Sequence, residues 1–283
     1  MRWEGNRQSE NVEDRRGSSF GGKSVGLGTV AIALVLSYFL GVSPTTVLNV
    51  LTGGGMPVSQ EVTAQRPPET DQMAKFVSTV LADTEDTWHA LFRSAGNTYV
   101  EPRLVLFSGS TPTACGTGQS AAGPFYCPGD QKIYIDLSFY RLMKERFRVS
   151  GEFAQAYVIA HEVGHHVQHL MGLTDKVDAA RRRMSQAQGN ALSVRLELQA
   201  DCFAGVWAHH ADRARSILEA GDVEAALNAA SAIGDDALQK QSQGVVVPDS
   251  FTHGTSEQRV RWFTRGIQSG QITSCNTFEA RQL

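Results

Sequence analysis

Residues 160–166 read Ala-His-Glu-Val-Gly-His-His and contain the pattern H-E-x-x-H. His161 and His165 stand four positions apart, so on an α-helix their imidazoles lie on one face, one turn apart, and can reach the same metal ion. Glu162 is offset by one position, where its carboxylate can contact a water molecule on that metal. The pattern therefore predicts two nitrogen ligands, a general base beside them, and an open position for water and substrate.

The pattern has this meaning only if the segment is helical, and the flanking sequence predicts a helix. Ser150 is a suitable N-cap, and Gly172 offers a C-terminal stop. Apolar residues recur between them at spacings of three and four, which is typical of a helix that buries one face. These residues are Phe153, Ala156, Tyr157, Ala160, Gly164, Val167 and Met171.

Two further histidines follow the pattern, and neither is predicted to be a ligand. His169 lies eight residues beyond His161, which is about 12 Å of rise on a straight helix and too far for convergence on one ion. His166 points away by about a quarter turn or more. Both are expected to face solvent or to support a ligand from outside the coordination sphere.

A second helix, predicted over residues 191–217, supplies the third ligand. Within it Glu197 and Asp201 are again four apart, and the surrounding residues are apolar. An acidic pair is costly to bury unless it binds something. We therefore expect Glu197 to complete the metal site and Asp201 to orient a ligand histidine through its other ring nitrogen. The alternative is a solvated acidic face.

The stretches HEVGHHVQH and RLELQADCFAGVWAH together resemble the bacterial neutral zinc metallopeptidase family of the YpfJ type. The layout of H-E-x-x-H and E-x-x-x-D is that of glutamate-type zincins. The resemblance runs from about residue 125 to residue 263 and through an apolar N-terminal segment. It implies a zincin-like fold in which His161, His165 and Glu197 bind Zn²⁺ and Glu162 is the catalytic base.

Length and composition fit one sizeable globular domain with extensions, since the chain has 283 residues and 41% hydrophobic content. The net charge of −3 argues against a nucleic-acid-binding protein. The expected fold class is α+β: a mainly helical zincin-like metallopeptidase domain with a small β-sheet over residues 70–283. One N-terminal transmembrane helix is expected before it.

That transmembrane helix is predicted over residues 24–42, which carry no charge and would span about 27 Å as a helix. Residues 1–23 are expected to be a disordered cytoplasmic tail and residues 43–69 a linker. The basic residues before the segment place the N-terminus in the cytoplasm by the positive-inside rule. The chain would then be a single-pass protein of the bacterial inner membrane, in contact with the lipid bilayer, with its catalytic domain outside. A buried globular helix and a cleaved signal peptide are the alternatives.

The four cysteines contain no C-x-x-C pair. Of the three possible pairings, we expect Cys115 with Cys127 and Cys202 with Cys275. The first would close a flexible loop, at roughly 3 kcal/mol in the chain-entropy account. Disulfides persist in oxidising compartments, so this pairing agrees with a periplasmic domain. Four buried free thiols are the alternative.

An amphipathic helix is predicted over residues 71–95, and short strands over residues 99–107 and 132–137. By resemblance to zincins, the second strand, KIYIDL, could form the rim of the cleft and pair with extended substrate backbone. The alternative is an ordinary core strand, because edge position cannot be read from sequence.

His253 lies beside a glycine in the stretch 250–259, just before a predicted helix start. Other membrane-bound zinc peptidases carry a similar stretch after their glutamate ligand. We expect His253 to stabilise the oxyanion of the reaction, with Arg259 as structural support. Tyr134 and Tyr140 are further candidates for the oxyanion, and a capping role is the alternative for His253.

The function predicted from these features is a membrane-anchored, zinc-dependent endopeptidase that hydrolyses peptide bonds with a zinc-activated water and Glu162 as general base. One alternative is a membrane-anchored scaffold or chaperone-like protein with a structural zinc site. Another is a zinc hydrolase that acts on a non-peptide amide of the envelope. The sequence leaves the substrate and the oligomeric state open.

Overall fold

The computed structural model of the chain describes residues 1–17, 65–120, 123–149 and 151–283. The chain forms two units, one of residues 1–14 together with 66–283 and the other of residues 15–65. The described strands are β1 (Val12–Asp14), β2 (Arg103–Phe107), β3 (Ser110–Thr113), β4 (Gly116–Gln119), β5 (Phe125–Cys127) and β6 (Lys132–Asp136). The described helices are α1 (Gln72–Ser94), α2 (Ser138–Glu145), α3 (Glu152–Leu170), α4 (Leu173–Arg181), α5 (Gln186–Arg215), α6 (Asp222–Ala232), α7 (Asp235–Gln243) and α8 (Ser256–Ser269).

Four strands form a mixed sheet in the order β1-β2-β6-β5, and β3 and β4 form a separate antiparallel pair. β1, β2 and β6 are parallel, whereas β5 runs antiparallel to β6 at one edge. Successive side chains of β2 and β6 point to opposite faces of the sheet. Leu104, Leu106, Ile133 and Ile135 therefore pack into the main core, and Val105, Phe107 and Tyr134 form a second apolar cluster.

The KIYIDL segment forms β6, an interior strand between β2 and β5. Of the two possibilities that its sequence left open, the structure gives the core strand. The edge strands are β1 and β5, and β5 also contacts α3. The short run 125–127 showed no clear alternation of its own, so its position was not predicted.

Helix α3 is buried along most of its length and packs against α5, which in turn packs against α8. The α3–α5 and α5–α8 crossings are both close because small residues lie at each contact. A Cβ atom on Gly164 would lie 3.0 Å from the carbonyl oxygen of Ala200 on α5. A Cβ atom on Gly266 of α8 would overlap the carbonyl oxygen of Cys202. Glycine at these positions lets α5 approach both neighbours backbone to backbone.

Both predicted disulfides are confirmed, and no free cysteine remains. Cys115–Cys127 joins the turn between β3 and β4 to the end of β5. Cys202–Cys275 joins α5 to a 3₁₀ turn, Ile272–Cys275, near the C-terminus and spans 73 residues. In the chain-entropy account a loop of that length stabilises the fold by roughly 4 kcal/mol.

The prediction of a single-pass membrane protein is corrected. Among the described residues, no helix is both long enough and apolar enough to cross a bilayer. The long helices carry polar or charged side chains along their length, for example Asp83 in α1, Glu162 in α3 and Asp201 in α5. The predicted segment 24–42 itself lies outside the described residues. The expected lipid contact and inner-membrane location are therefore withdrawn.

The N-terminal residues correct the expected topology in a second way. Residues 1–14 were expected to lie in a disordered tail across the membrane from the domain, but they belong to the same folded unit as residues 66–283. β1 pairs with β2, and the amino group of Met1 forms an ion pair with Glu219 at 2.7 Å. Arg7 and Ser9 both bind the buried carboxylate of Glu85. Polar contacts of this kind leave no hydrophobic periodicity, which is why the sequence suggested disorder.

Candidate metal centre

His161 and His165 on α3 and Glu197 on α5 converge on one point. Each offers one ligand atom, and these atoms all lie within 4.8 Å of one another. Nε2 of His161 is 3.2 Å from Oε2 of Glu197, and Nε2 of His165 is 3.4 Å from Oε1 of the same carboxylate. The close crossing at Gly164 produces this convergence, because it seats Ala200 against α3 and brings Glu197, one turn earlier on α5, to the histidines.

These residues fit a zinc ion. Tetrahedral zinc with ligand bonds of about 2.0–2.1 Å holds neighbouring donor atoms about 3.4 Å apart. The two histidine–carboxylate separations, 3.2 and 3.4 Å, are close to that spacing, each through a different oxygen of Glu197. Two imidazoles and one carboxylate are also a donor set found in catalytic zinc sites, where the fourth position stays open.

His161 is held from behind by a buried ionic cluster. Its Nδ1 lies 2.8 Å from Oδ1 of Asp201, which is fully buried. Arg259 donates two hydrogen bonds of 2.9 Å to Asp201, and the hydroxyl of Tyr157 donates another. Burial opposes ionisation of Asp201, but Arg259 and His161 hold the pKa of its carboxyl at about 2. The carboxylate therefore stays charged and can accept the Nδ1–H proton, which leaves Nε2 of His161 for a metal.

Glu162 lies beside the three candidate ligands and is 7% exposed. Its side chain lines a cavity of about 680 Å³ together with His161, His165 and Glu197. Burial raises the pKa of the Glu162 carboxyl above its usual range, although both histidines oppose the shift. A carboxylate with a raised pKa is a stronger proton acceptor, as a general base requires.

The two histidines that were not predicted as ligands lie apart from the metal group. His166 is fully buried, where its Nε2–H donates to the carbonyl oxygen of Val100 and its Nδ1 accepts from the hydroxyl of Tyr126. Burial lowers its pKa to about 4. The expectation that His166 faces solvent or supports a ligand is therefore wrong, because both of its nitrogens are used by the core. His169 is partly exposed, with its Nε2 3.5 Å from the Gln131 amide.

His253 lines the same cavity as Glu162. Its Nδ1 lies 3.2 Å from Oδ1 of Asp235, the first residue of α7. The other oxygen of Asp235 accepts the backbone N–H groups of Thr252, His253 and Gly254 at 2.6–3.0 Å. One carboxylate thus fixes both the loop and the imidazole, so that Nε2 of His253 is directed away from Asp235.

The two tyrosines suggested for the oxyanion do not line the cavity. Tyr134 is in the second apolar cluster, on the face of β6 away from α3, and its hydroxyl donates to Asp130. The hydroxyl of Tyr140 is buried without a hydrogen-bond partner among the described residues, and Tyr140 does not line the cavity. Burial and the nearby Glu162 carboxylate both raise the pKa of the Tyr140 hydroxyl, so this side chain lies close to the proposed base. Of the three candidates, only His253 reaches the cavity. Arg259 supports Asp201 rather than the His253 loop.

Sequence reasoning missed three residues that hold the site together: Tyr157, Gln168 and Asp235. Tyr157 was assigned only to the apolar stripe of α3, and its hydroxyl gave no separate signal. Gln168 contacts His165 from three residues away on the same helix. Asp235 was visible as an acidic residue at a helix start, but its partner His253 lies 18 residues later. Only Gln168, which is polar at helical spacing from a ligand, could have been inferred from local sequence.

Comparison with known proteins identifies the family. Residues 1–278 match the family model described as "Putative neutral zinc metallopeptidase". The uncharacterized protein YpfJ of Escherichia coli (strain K12) is 54% identical over 98% of this chain and 99% of its own length. The uncharacterized protein Rv2575 of Mycobacterium tuberculosis is 41% identical over 74% of this chain and 73% of its own. No solved structure matches the chain significantly. The chain therefore belongs to the neutral zinc metallopeptidase family defined by that model.

Proposed function

We propose that this protein is a zinc-dependent endopeptidase whose metal is held by His161, His165 and Glu197. The proposal rests on one observation: the ligand atoms of these three side chains converge beside the Glu162 carboxylate, in one cavity. A purely structural zinc site is closed by four protein ligands and has no use for a base beside it. Family membership supports a zinc peptidase and leaves the mechanism and the kind of peptide substrate as proposals.

The chemistry divides between the metal and the side chains around it. A zinc ion in this position supplies a Lewis acid that makes water more acidic and polarises the scissile carbonyl. Glu162 accepts a proton from the attacking water as the new carbon–oxygen bond forms. It then delivers that proton to the nitrogen of the leaving amine as the carbon–nitrogen bond breaks. Asp201 and its partners keep His161 oriented throughout.

His253 is the residue that we assign to the developing oxyanion. It lines the cavity, and its ring is oriented by Asp235. Hydrogen bonding to Asp235 raises the pKa of the His253 imidazole, so a larger fraction carries a proton near neutral pH. A protonated imidazole donates a stronger hydrogen bond to an oxyanion than a neutral one.

The substrate backbone is proposed to extend along β5. Within the described residues, β5 is paired on one side only, by β6. Phe125 and Tyr126 of this strand line the cavity. An edge strand can bind an extended peptide through its main-chain groups regardless of the peptide's sequence. A cavity of about 680 Å³ is large enough to take several side chains around the scissile bond.

The test is hydrolysis of an internally quenched peptide library and of casein by the zinc-loaded chain. We expect cleavage that a chelator abolishes and added zinc restores. Glu162→Gln should keep its zinc and lose turnover by about 100-fold or more, the usual contribution of a general base. Glu152→Gln, on the exposed first turn of the same helix, is the matched control and should retain full turnover.

The same assay separates the other two functions considered. A scaffold or chaperone-like protein with a structural zinc site would lose stability but no turnover on chelation, and Glu162→Gln would change nothing. A hydrolase of non-peptide envelope amides would leave the peptide library intact and cleave envelope fragments instead. Full peptidase activity in Glu162→Gln would contradict the proposed role of this carboxylate.

A further inference from the structure

A chain of amide hydrogen bonds begins at His165, passes through Gln168 and Gln199, and ends at Cys275. Nδ1 of His165 lies 2.9 Å from Oε1 of Gln168, which is fully buried. Nε2 of Gln168 donates to the carbonyl oxygen of Leu196 at 2.7 Å and to Oε1 of Gln199 at 3.1 Å. Nε2 of Gln199 donates to the carbonyl oxygen of Cys275 at 3.0 Å. The chain thus ends at backbone atoms, one of them in a disulfide-bonded residue.

The direction of every bond in this chain is fixed by those backbone carbonyls. A carbonyl oxygen can only accept, so Cys275 requires the NH₂ group of Gln199 and Leu196 requires the NH₂ group of Gln168. Both amide protons of Gln168 are then used, and its oxygen must face His165. An amide oxygen can only accept, so Nδ1 of His165 must carry the proton. In the neutral imidazole, Nε2 of His165 is consequently the nitrogen that keeps a lone pair, on the side of Glu197.

We propose that Gln168 is a positioning residue that fixes the tautomer and ring orientation of His165 for zinc, and that Leu196 and Gln199 hold its amide in the required direction. The inference rests on the proposed metal site. It assigns to Gln168 the task that a carboxylate or carbonyl performs behind many metal-bound histidines. Removing such a partner typically weakens metal affinity by about 10–100-fold.

The two histidines are therefore supported in different ways. His161 is backed by the charged pair of Asp201 and Arg259, whereas His165 is backed by a neutral amide. Arg259 neutralises Asp201, and a neutral amide behind His165 adds no further buried charge that would have to be compensated. The arrangement explains why a glutamine is buried three residues after the second histidine of the motif.

The first experiment measures zinc affinity by competition with a chromogenic chelator, using the full chain. Gln168→Leu should weaken the zinc dissociation constant by about 10–100-fold. Asn190→Leu is the matched control. Asn190 is also a buried amide, but it lies on α5 and donates to the backbone carbonyl of Asp249 rather than contacting His165. The control variant should lower stability while leaving the zinc dissociation constant within about 2-fold of wild type, since no bond to a metal ligand is lost.

A second variant separates positioning from folding. In Gln168→Glu, the carboxylate can still accept the Nδ1–H proton of His165 but cannot donate to Leu196 or Gln199. We expect stability to fall as in Gln168→Leu, and zinc affinity to return most of the way to wild type. A merely structural glutamine would give equal losses of zinc affinity in both variants.

The spectroscopic signature is the ring proton of His165, read by long-range ¹H–¹⁵N NMR of the zinc-loaded chain. We expect Nδ1 to carry a slowly exchanging proton and Nε2 to bind the metal, and the slow exchange should disappear in Gln168→Leu. Coordination through Nδ1, or an unchanged zinc dissociation constant in Gln168→Leu, would overturn this inference and leave the proposed function standing. A wild-type chain that binds no zinc in the competition assay would overturn both this inference and the proposed function.

Discussion

Substitution of Gly266 by alanine tests whether the close crossing of α5 and α8 holds the site in place. A Cβ atom at this position would lie 2.9 Å from the carbonyl carbon of Cys202, 3.0 Å from Cα of Gly205, and closer still to the Cys202 oxygen. Carbon atoms in favourable contact stand about 3.5–4.0 Å apart. The two backbones must therefore separate by at least about 0.5 Å, because neither neighbour is a side chain that could rotate away.

The expected loss follows from two opposing effects. Alanine is favoured over glycine in a helix interior by about 1 kcal/mol. Overpacking a tight contact costs about 1–3 kcal/mol, and backbone against backbone belongs at the upper end. The net loss in the free energy of unfolding should be about 2 kcal/mol, or about 4–8 °C in Tm for a domain of this size. Urea unfolding measures the free energy and calorimetry measures the Tm, each on the protein with its disulfides oxidised.

Gly189→Ala is the control on the partner helix. The atoms nearest to a Cβ at Gly189 belong to the Arg181 side chain at 3.6 Å or more, which is ordinary contact. This variant should gain about 0.5–1 kcal/mol from helix propensity. Gly266→Ala should also weaken zinc binding, because α8 carries the arginine that holds Asp201. Equal changes in stability for the two variants, or a Gly266→Ala protein as stable as wild type, would refute the reasoning.

Two further predictions concern the charges around the site. Arg259→Met removes the cation that pairs with the fully buried Asp201 and should lower the free energy of unfolding by about 3–5 kcal/mol in urea titrations of zinc-free protein; a loss below 1 kcal/mol would show that the pair is not needed. Burial opposes ionisation of Asp235, but hydrogen bonds from His253 and from backbone amides lower its pKa in the folded state. A lowered folded pKa means that this carboxylate stabilises the protein above its unfolded pKa of about 3.9 and that the contribution is lost as the pH falls through the folded value. The stability difference between wild type and Asp235→Asn should thus persist from pH 7 to about pH 5 and shrink below about pH 4; a difference that is unchanged at pH 3 would contradict it.

The parts of the site that sequence could predict are those encoded by spacing along one helix. His161 and His165 follow from helical geometry alone, and Glu197 and Asp201 follow from the cost of burying two acids on an apolar helix. Their arrangement in space agrees with that expectation. Their chemical roles stay predictions until turnover and metal binding are measured.

The parts that sequence could not predict depend on partners far along the chain. The helix that carries Glu197 was predicted to start at residue 191, yet α5 starts at Gln186, because the capping box of Ser185 and Gln188 begins the helix earlier. β5 is an edge strand because it pairs with β6 alone among the described strands, and its three residues do not predict that pairing. Asp235 acquires its role from a loop that returns 18 residues later. In each case tertiary contacts outweigh the local signal.

The position of β1 changes how the chain can be cut for experiment. Residues 1–14 pair with the body of the protein, and Arg66 forms an ion pair with Glu10 at 3.2 Å, so both segments belong to one folding unit. A shortened version that starts near residue 70 would strip a strand from the sheet and leave Glu85 without Arg7 and Ser9. A version that keeps both flanks and joins them by a short glycine-serine bridge would retain every contact described above.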